Sequence, residues 1–395
     1  MSEWHIAQLG EVANFKNGFA FKSSDFVDSG IPVIKIKNVK PNRINLNDLS
    51  YVSESVAKGK EKYLIESSDI LISMSGNRSD GSPDSWVGKV SKFRFNGAYL
   101  LNQRVSIIQA KENLSDTDFL AYSLSSWETQ QYLIGHANSS GGQANISPDT
   151  VKGMEIALPP LPEQKAIASV LSSLDDKIDL LHRQNQTLEA MAATLFRQWF
   201  VKEAQEDWEV RPLSSVANFL NGLACQKHPP KNELEKLPVL KIRELSGGIS
   251  ESSDWATSEI KPEYIVEAGD VIFAWSASLM VKVWDGERCV LNQHLFKVTS
   301  TESPKWFYLM WCKHHLAEFI SISASHATTM GHIKRGDLDA AMVNIPSPEE
   351  LKAMTDQMTP LLDKQISISK QIRTLEKFRD TLLPKLMSGD VRIEV

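Results

Sequence analysis

The 395-residue chain is longer than a single hydrophobic core usually fills, so two or more domains are expected. Its net charge of -6 argues mildly against a free-standing nucleic-acid binder, which often has a basic footprint, although local patches or partner subunits can supply positive charge. Three scattered cysteines argue against a disulfide framework, and the absence of an apolar stretch of transmembrane or signal-peptide type predicts a cytoplasmic protein without a membrane partner.

The first 160 residues have a mixed pattern. Short apolar runs with β-branched residues, at 32–36, 69–72 and 105–108, are broken by Gly, Asn and Ser, which is typical of strands joined by loops. A helix is predicted near 116–132. Residues 1–160 are therefore predicted to form an α+β domain with a small, mostly antiparallel sheet.

Polar side chains that suit DNA follow the predicted strands of this first domain. Lys, Arg and hydroxyl groups bind phosphates, so Ser75 is a phosphate candidate, whereas Arg, Lys, Asn, Gln, Ser and Thr can reach base edges, as Asn77 and Arg78 could. The candidates are a basic cluster leaving one strand, a polar loop after another, and a glutamine in a Gly-rich loop: Lys35, Lys37, Asn38, Lys40, Arg43, Ser75, Asn77, Arg78 and Gln143. The alternative interpretation of each segment is a solvated turn.

Residues 161–203 are predicted to form a long helix. Pro162 and Glu163 suit the free N–H groups and dipole of a helix start. Apolar residues then recur at alternating spacings of four and three, which is a heptad seam. The seam consists of Ile167, Leu171, Leu174, Ile178, Leu181, Asn185, Leu188, Ala192, Leu195 and Trp199.

The second half of the chain repeats the first in the same order. Six segments match, and differences in loop length separate them. The paired segments begin at Trp4 and Trp208, Ile31 and Leu237, Ser68 and Gly269, Leu101 and Leu291, His136 and His326, and Pro160 and Pro346. Residues 204–346 are therefore predicted to form a second α+β domain of the same plan, with a helix near 304–321.

Polar candidates for DNA contact also follow the predicted strands of the second domain: Lys241, Arg243, Trp275, Ser276, Ser278, Thr328, Lys334 and Arg335. The dipeptides Asn102–Gln103 and Asn292–Gln293 are shared by both halves. Two domains that read different sequences are not expected to do so with shared side chains, so internal hydrogen bonding is favoured for these four residues over contact with the DNA backbone.

Residues 347–390 are predicted to form the second long helix and a C-terminal tail. Its seam contains Leu351, Met354, Met358, Leu361, Gln365, Ile368, Ile372, Leu375, Arg379, Leu382 and Leu386. With one domain between them, the two helices are expected to pair as an antiparallel coiled coil; the alternative is that each packs on its own domain. The polar interruptions Asn185, Gln365 and Arg379 either fix the register of the pair or lie exposed near helix ends.

A pair of helices of this length suits DNA recognition. A helix of about 35 residues spans roughly 50 Å, and duplex DNA presents similar surfaces about 34 Å apart. Two domains held apart by such a pair would each address one half-site and span the base pairs between them. Because the two halves differ most in their loops, the two half-sites are expected to differ in sequence.

The chain resembles the specificity subunits of type I restriction–modification systems over nearly its whole length. The residues that carry the likeness are those at 17–22, 31–38, 101–104 and 142–147 and, above all, Leu158–Ile167 with its downstream helix. The last segment is highly specific in this setting. The second half departs from the pattern at 331–334 and 346–350, which affects the closing loop of the second domain and not the architecture.

The resemblance implies a pseudo-twofold molecule with two target recognition domains joined by an antiparallel coiled coil. It also implies double-stranded DNA, two modification subunits and two restriction subunits as partners. The modification subunits would bring S-adenosylmethionine and methylate adenine, and the restriction subunits would bring ATP- and Mg-dependent translocation and cleavage. No cofactor is expected on this chain.

Two other classes of protein remain as alternatives. A self-contained DNA methyltransferase or endonuclease needs a Gly-rich cofactor loop with an Asn-Pro-Pro-aromatic motif, or a nuclease core, and none of these is evident. A duplicated coiled-coil adaptor that does not bind DNA is compatible with the patterning alone. No catalytic residue is predicted. No metal site is predicted either, because Cys312 and His315 lack a second ligand pair.

Overall fold

The computed structural model describes residues 4–79, 82–140, 143–325 and 331–393. The chain divides into two compact units. Unit 1 comprises Met1–Asp176 and Lys377–Val395, and unit 2 comprises Lys177–Glu376. None of the helices formed by these residues combines the length and the apolar character needed to span a membrane.

Unit 1 is an α+β assembly of short strands and helices. Its strands are β1 His5–Gln8, β2 Ala13–Asn17, β3 Phe26–Val27, β4 Ile31–Ile34, β5 Val39–Lys40, β6 Arg43–Ile44, β7 Ser50–Val52, β8 Ile70–Ser73, β9 Ser75–Gly76, β10 Val90–Lys92, β11 Leu100–Leu101, β12 Val105–Ala110, β13 Asn138–Ser140, β14 Gln143–Asn145 and β15 Glu155–Leu158. Its helices are α1 Leu9–Val12, α2 Glu54–Ala57, α3 Thr117–Leu124, α4 Trp127–Gly135 and α5 Pro148–Lys152, followed by the long α6 Leu161–Arg197, of which the residues up to Asp176 belong to this unit.

Unit 2 follows the same plan. Its strands are β16 Glu209–Pro212, β17 Asn218–Asn221, β18 Lys236–Leu240, β19 Trp255–Thr257, β20 Ile265–Val266, β21 Val271–Ala274, β22 Met280–Val283, β23 Cys289–Leu291, β24 Leu295–Thr299 and β25 Met342–Ile345. Its helices are α7 Leu213–Val216, α8 Ile242–Gly247, α9 Lys305–Ser325 and α10 Arg335–Ala340, followed by the long α11 Pro348–Met387. A π-helical turn, Gln198–Lys202, closes α6.

Corresponding sheets of the two units have corresponding pairings. In unit 1 one sheet has the order β10-β8-β12-β2, and its counterpart in unit 2 has the order β22-β21-β24-β17. A second sheet in each unit contains a parallel pair, β4 with β11 and β18 with β23. Val33 faces Leu100 in the first pair, and Val239 faces Val290 in the second. The duplication predicted from sequence is thus confirmed, with several small sheets in each unit instead of the single one expected.

A backbone clasp explains why Asn-Gly and Leu-Asn-Gln recur in both halves. The N–H of Phe19 donates to the Leu101 carbonyl at 2.8 Å, and the N–H of Gln103 donates back to Phe19 at 2.9 Å. Leu223, Leu291 and Gln293 make the same two bonds in unit 2, at 2.9 and 2.8 Å. These bonds are between backbone groups, so they account for the recurrence of the two segments, while the internal role favoured for the side chains of the shared dipeptides stays a prediction.

The clasp requires glycine. A Cβ on Gly18 would lie 2.1 Å from the Asn102 carbonyl oxygen, and a Cβ on Gly222 would lie 2.2 Å from that of Asn292. Both distances are far below van der Waals contact, and the opposing atoms belong to the backbone. Only a residue without a side chain therefore lets the two segments approach.

The long helices run antiparallel where they meet inside each unit. In unit 2, Ile178 and Leu181 of α6 form a buried cluster with Ile368 and Ile372 of α11. In unit 1, the cluster that contains Ile167 and Leu171 also contains Leu386, together with Phe119 and Tyr122 of α3. All the predicted coiled-coil positions are buried or half-buried: Leu171, Leu174, Ile178, Leu181, Leu188, Leu195, Met358, Leu361, Ile368, Ile372, Leu375 and Leu382.

Near the end of α6 the buried face differs from the predicted seam. Phe196 and Leu362 are buried, whereas the seam residues Leu195 and Leu361 are only half-buried against the same core. Here α6 packs against the aromatic core of unit 2, which includes Phe200, and no longer only against α11. The change of packing partner shifts the buried stripe by one residue.

Two of the three polar interruptions of the seams have partners on the opposite helix. Asn185 donates from Nδ2 to Ser369 Oγ at 2.9 Å in unit 2. Arg379 donates to Asp175 Oδ1 at 3.0 Å in unit 1, and Asp175 also accepts the Tyr122 hydroxyl at 2.6 Å. Burial and this carboxylate raise the pKa of Tyr122. Each polar contact pairs one position on α6 with one position on α11, which is the geometry that fixing the register requires.

The helix expected near residues 116–132 is two helices, α3 and α4. The hydroxyl of Ser125 donates to the Ala121 carbonyl at 2.7 Å and closes α3. The next residue, Ser126, accepts the N–H of Thr129 and caps α4. Adjacent serines therefore end one helix and start another, as expected of residues that compete for backbone groups.

Candidate nucleic-acid interface

In unit 1 two residues of the predicted basic cluster meet Asp84, which follows the predicted polar loop in sequence. Its carboxylate lies 3.0 Å from Arg43 Nη2 and 3.7 Å from Lys40 Nζ. Lys89 Nζ donates to the Asp84 carbonyl at 3.0 Å and to the Ile36 carbonyl at 3.2 Å. The β5–β6 hairpin and the segment before β10 thus form one surface, with Arg43 and Lys40 at the Asp84 carboxylate and Lys89 at the Asp84 carbonyl.

Lys89, which lies beneath this surface, is buried to an extent that is unusual for a lysine. The whole Lys89 residue is 3% exposed, and burial, followed by the nearby charge of Lys40, lowers its pKa to about 8. Lys40 is largely covered, while the Arg43 side chain is 69% exposed. Arg43 is therefore the member of the cluster that is best placed to reach a phosphate.

The other residues of the basic cluster differ in accessibility. The Lys35 ammonium lies 3.5 Å from the centre of the Phe26 ring, and burial lowers its pKa. Lys37 pairs with Asp48 at 2.7 Å on the surface. Asn38 is 1% exposed, accepts the Lys35 N–H and donates to two carbonyls of its own turn. Asn38 is thus a turn-forming residue whose side chain is bonded within unit 1 and is not available to DNA.

In the polar segment after β8, the candidate side chains make hydrogen bonds within unit 1. Ser75 is 1% exposed and donates to Asn145 Oδ1 at 2.7 Å, so its hydroxyl is not available to a phosphate. Asn77 and Arg78 are exposed, with Asn77 Nδ2 near Ser85 Oγ and Arg78 donating to the Ala137 carbonyl at 2.7 Å. Gln143 is exposed on β14.

In unit 2 the predicted cations lie beside acidic groups. Lys241 pairs with Asp254. Arg243 donates from Nε and Nη2 to Glu244 Oε1, at 2.9 and 2.7 Å, and the Glu244 side chain is 1% exposed. The Arg243 side chain itself is 62% exposed. This ion pair neutralises a buried carboxylate and keeps the guanidinium at the surface.

The remaining candidates of unit 2 surround the end of β21. Trp275 donates from Nε1 to Asn221 Oδ1 at 3.1 Å and stacks on Phe296. Ser276 is 4% exposed, so its hydroxyl, like that of Ser75, is not available to DNA. Three further candidates have exposed side chains: Ser278, Lys334 and Arg335. Thr328 lies outside the described residues.

The structure also reveals polar residues at the buried serines that the sequence reasoning missed. In unit 1, Arg104 Nη1 donates to Asn145 Oδ1 at 3.4 Å, beside Ser75. In unit 2, His294 Nδ1 lies 3.2 Å from Ser276 Oγ, and Ser276 pairs across the strands with His332. One small signal in the sequence points to two of these residues. Arg104 and His294 are the first residues that differ after the shared Leu-Asn-Gln.

Neither a metal site nor a reactive thiol is found within the described part of the chain. No group of three or more His, Cys, Asp or Glu side chains is arranged to hold a metal ion among these residues. The cysteines are buried and free. Burial raises the pKa of Cys225 to about 11 and raises the pKa values of Cys289 and Cys312 further.

Comparison with known families identifies this arrangement. The model of the type I restriction–modification DNA specificity domain matches the chain twice, at residues 1–190 and 205–377. The chain belongs to this family. It is the DNA-sequence specificity subunit of a type I restriction–modification complex, and a non-catalytic member of that complex.

Curated specificity subunits cover most of the chain. The subunit of the type I restriction enzyme MjaIX from Methanocaldococcus jannaschii is 28% identical over 305 residues, which are 70% of this chain and 70% of the relative. The subunit of EcoBI from Escherichia coli is 23% identical and spans 98% of this chain and 86% of the relative. The fold is shared with the S subunit from M. genitalium, with a TM-score of 0.62 at 15% identity over 97% of this chain and 96% of that one.

The two family matches correspond to the two units of the chain. Each family match spans the sheets of one unit and extends into one of the long helices. DNA and the methyltransferase and restriction subunits are thus the partners of this specificity subunit. Recognition by this subunit therefore has to be sought on the exposed polar surfaces of the two units.

Proposed function

We propose that the specificity subunit recognises a bipartite, asymmetric DNA sequence, with one unit reading each half-site. This proposal rests on one observation: the two units share the same backbone clasp, but the side chains around the clasp differ. Both units hold the same backbone contacts around Gly18 and Gly222. The accessible side chains next to them differ, so two similar scaffolds would present different donors and acceptors to DNA.

We further propose that two modification subunits and two restriction subunits complete the complex. The modification subunits supply S-adenosylmethionine and methylate adenine, and the restriction subunits supply ATP- and Mg-dependent translocation and cleavage. This chain carries none of these cofactors. The acidic net charge of -6 fits the proposal, because partners that close around the DNA can neutralise part of its phosphate charge.

Methyl transfer from a labelled methyl donor tests the division of labour. The purified chain with DNA is expected to incorporate no label above the background without protein, whereas addition of the modification subunits restores incorporation into DNA that carries the target. Incorporation by the chain alone would contradict the non-catalytic role. Failure to bind DNA even with modification subunits present would contradict the reading function and favour an adaptor.

Asp84→Asn tests the cation cluster of unit 1. The substitution removes the negative charge that the Arg43 and Lys40 side chains share, and it leaves an acceptor in place. Binding to DNA without the target sequence is expected to tighten by roughly 3- to 10-fold at low salt, with a salt slope steeper by about one, because one more cation becomes available to phosphate. Equilibrium binding across a salt series measures both quantities.

Glu112→Gln is the matched control for Asp84→Asn. Glu112 is an exposed carboxylate in the segment after β12, outside the cation cluster, and its loss changes the net charge by the same amount. An equal effect of both variants would show that only net charge matters. No change with Asp84→Asn would remove Arg43 and Lys40 from the interface.

A further inference from the structure

Each unit has a corresponding site next to its clasp, and the side chains at this site differ between the two units. Ser75 and Asn145 are antiparallel strand partners in unit 1, and Ser276 and His332 are the corresponding partners in unit 2. The residues that follow the shared Leu-Asn-Gln segments, Arg104 and His294, reach the same corners. We call each group the reading corner of its unit. It consists of Ser75, Asn145 and Arg104 in unit 1, and of Ser276, His332 and His294 in unit 2.

The floor of each reading corner is fixed. The clasp holds the residues that precede Arg104 and His294, and the serine below is 1% exposed in unit 1 and 4% exposed in unit 2. Arg104 is exposed, while His294 is half-buried. Each variable side chain therefore extends from a rigid backbone toward solvent, which is the support that a sequence-reading group needs.

In unit 1 the corner orients a guanidinium. Asn145 Oδ1 accepts the Ser75 hydroxyl at 2.7 Å and Arg104 Nη1 at 3.4 Å, and Asn145 Nδ2 donates to the Gln143 carbonyl at 3.2 Å. These bonds fix the Asn145 amide, which in turn restrains the arginine. A guanidinium has five N–H donors in a planar fork, so donation to Asn145 leaves donors for a second planar acceptor.

In unit 2 the same corner is aromatic. His294 and Trp275 have ring centroids 5.7 Å apart, and His332 lies 6.4 Å from Trp275. The imidazole of His294 takes the place of the arginine and contacts the serine at 3.2 Å. This corner has no planar fork, so it cannot make the same contact with a base.

We propose that Arg104, oriented by Asn145, reads a guanine in the half-site of unit 1, and that His294 and His332 make the corresponding position in the other half-site different. Guanine presents O6 and N7 together in the major groove, and the arginine fork matches this pair of acceptors. This inference rests on the proposed reading of one half-site by each unit.

The experiment uses the complex of this chain with its modification subunits, after methylome sequencing of cells with the intact system has defined the target. Arg104→Ala is expected to weaken binding to the target by roughly 5- to 150-fold, the worth of one bidentate base contact. Replacing the relevant guanine by 7-deazaguanine removes N7, so it is expected to weaken the wild-type complex and to have little further effect on Arg104→Ala.

A matched control and a second variant keep this test independent of folding. Lys111→Gln removes one positive charge at the opposite end of β12 and leaves a donor for the carbonyls of Gly10 and Glu11, so target discrimination should be unchanged. Arg104→His introduces the unit 2 residue and should relax the preference at one base pair only. Thermal unfolding of each variant shows whether the fold is retained.

The possible outcomes separate the two proposals. If Arg104→Ala weakened binding to target and non-target DNA equally and made the salt slope shallower, Arg104 would be assigned to a phosphate. That result would overturn the inference. A first half-site without guanine, or full discrimination by Arg104→Ala, would also overturn it. Loss of DNA binding by the wild-type complex would instead contradict the proposed function itself.

Discussion

Exchanging residues 1–160 for the equivalent segment of another specificity subunit is expected to replace one half of the recognised sequence and to leave the other half unchanged. The segment ends just before α6 and contains all the sheets of unit 1, whereas unit 2 comprises Lys177–Glu376. Affinity for the original site should fall by roughly a thousand-fold or more, toward non-specific binding. Methylome sequencing of cells with the hybrid system reads the new target directly.

The success of this exchange depends on the packing of α3 against the long helices. Phe119 and Tyr122 lie in one cluster with Ile167, Leu171 and Leu386. A donor whose α3 carries side chains of similar volume at these two positions is therefore the appropriate choice. The matched control exchanges residues 204–346 instead and should alter only the other half-site. A change in both half-sites after either exchange would refute the assignment of one half-site to each unit.

Gly18→Ala is expected to destabilise unit 1 strongly. The added Cβ would lie 2.1 Å from the Asn102 carbonyl oxygen and 2.7 Å from that of Leu101. The backbone of the clasp has to separate to admit it, at a cost of about 3 kcal/mol or more in the free energy of unfolding. A decrease in Tm of roughly 6–12 °C corresponds to that loss, and differential scanning calorimetry measures it.

Two variants show whether the clasp itself causes this loss. Gly135→Ala is the control, because a Cβ there has no neighbour within 4 Å, and it should change Tm little. Gly222→Ala meets the Asn292 carbonyl oxygen at 2.2 Å and should destabilise unit 2 to a similar extent. A Gly18→Ala protein as stable as the wild type would mean that the clasp is a consequence of the fold and not a support of it.

Sequence alone predicted the features that depend on repeated patterns. The matching segments at Ile31 and Leu237 became strands with the same parallel partners, because identical spacing of apolar residues and turns specifies the same register. The heptad seam also predicted helices that pair, since its period depends only on helical geometry. These patterns extend over many residues, so single exceptions do not obscure them.

The accessibility of individual polar residues was not predictable in the same way. Asn38 and Ser75 have residue types that suit DNA, but their partners Asn45 and Asn145 come from distant or turn-forming positions. The sequence does not state which polar group a fold buries. Arg104 was missed for the converse reason, since one residue after a shared motif has no pattern of its own.

Unit 1 is built from two stretches of chain that are far apart in sequence, and this affects the order of its formation. Leu386 completes the cluster around Ile167, and Arg392 pairs with the largely buried Glu163. During synthesis on the ribosome, all of Lys177–Glu376 is made before these residues emerge. Unit 2 can therefore finish folding first, while unit 1, although begun earlier, keeps the apolar surface around Ile167 exposed until Leu386 has been synthesised.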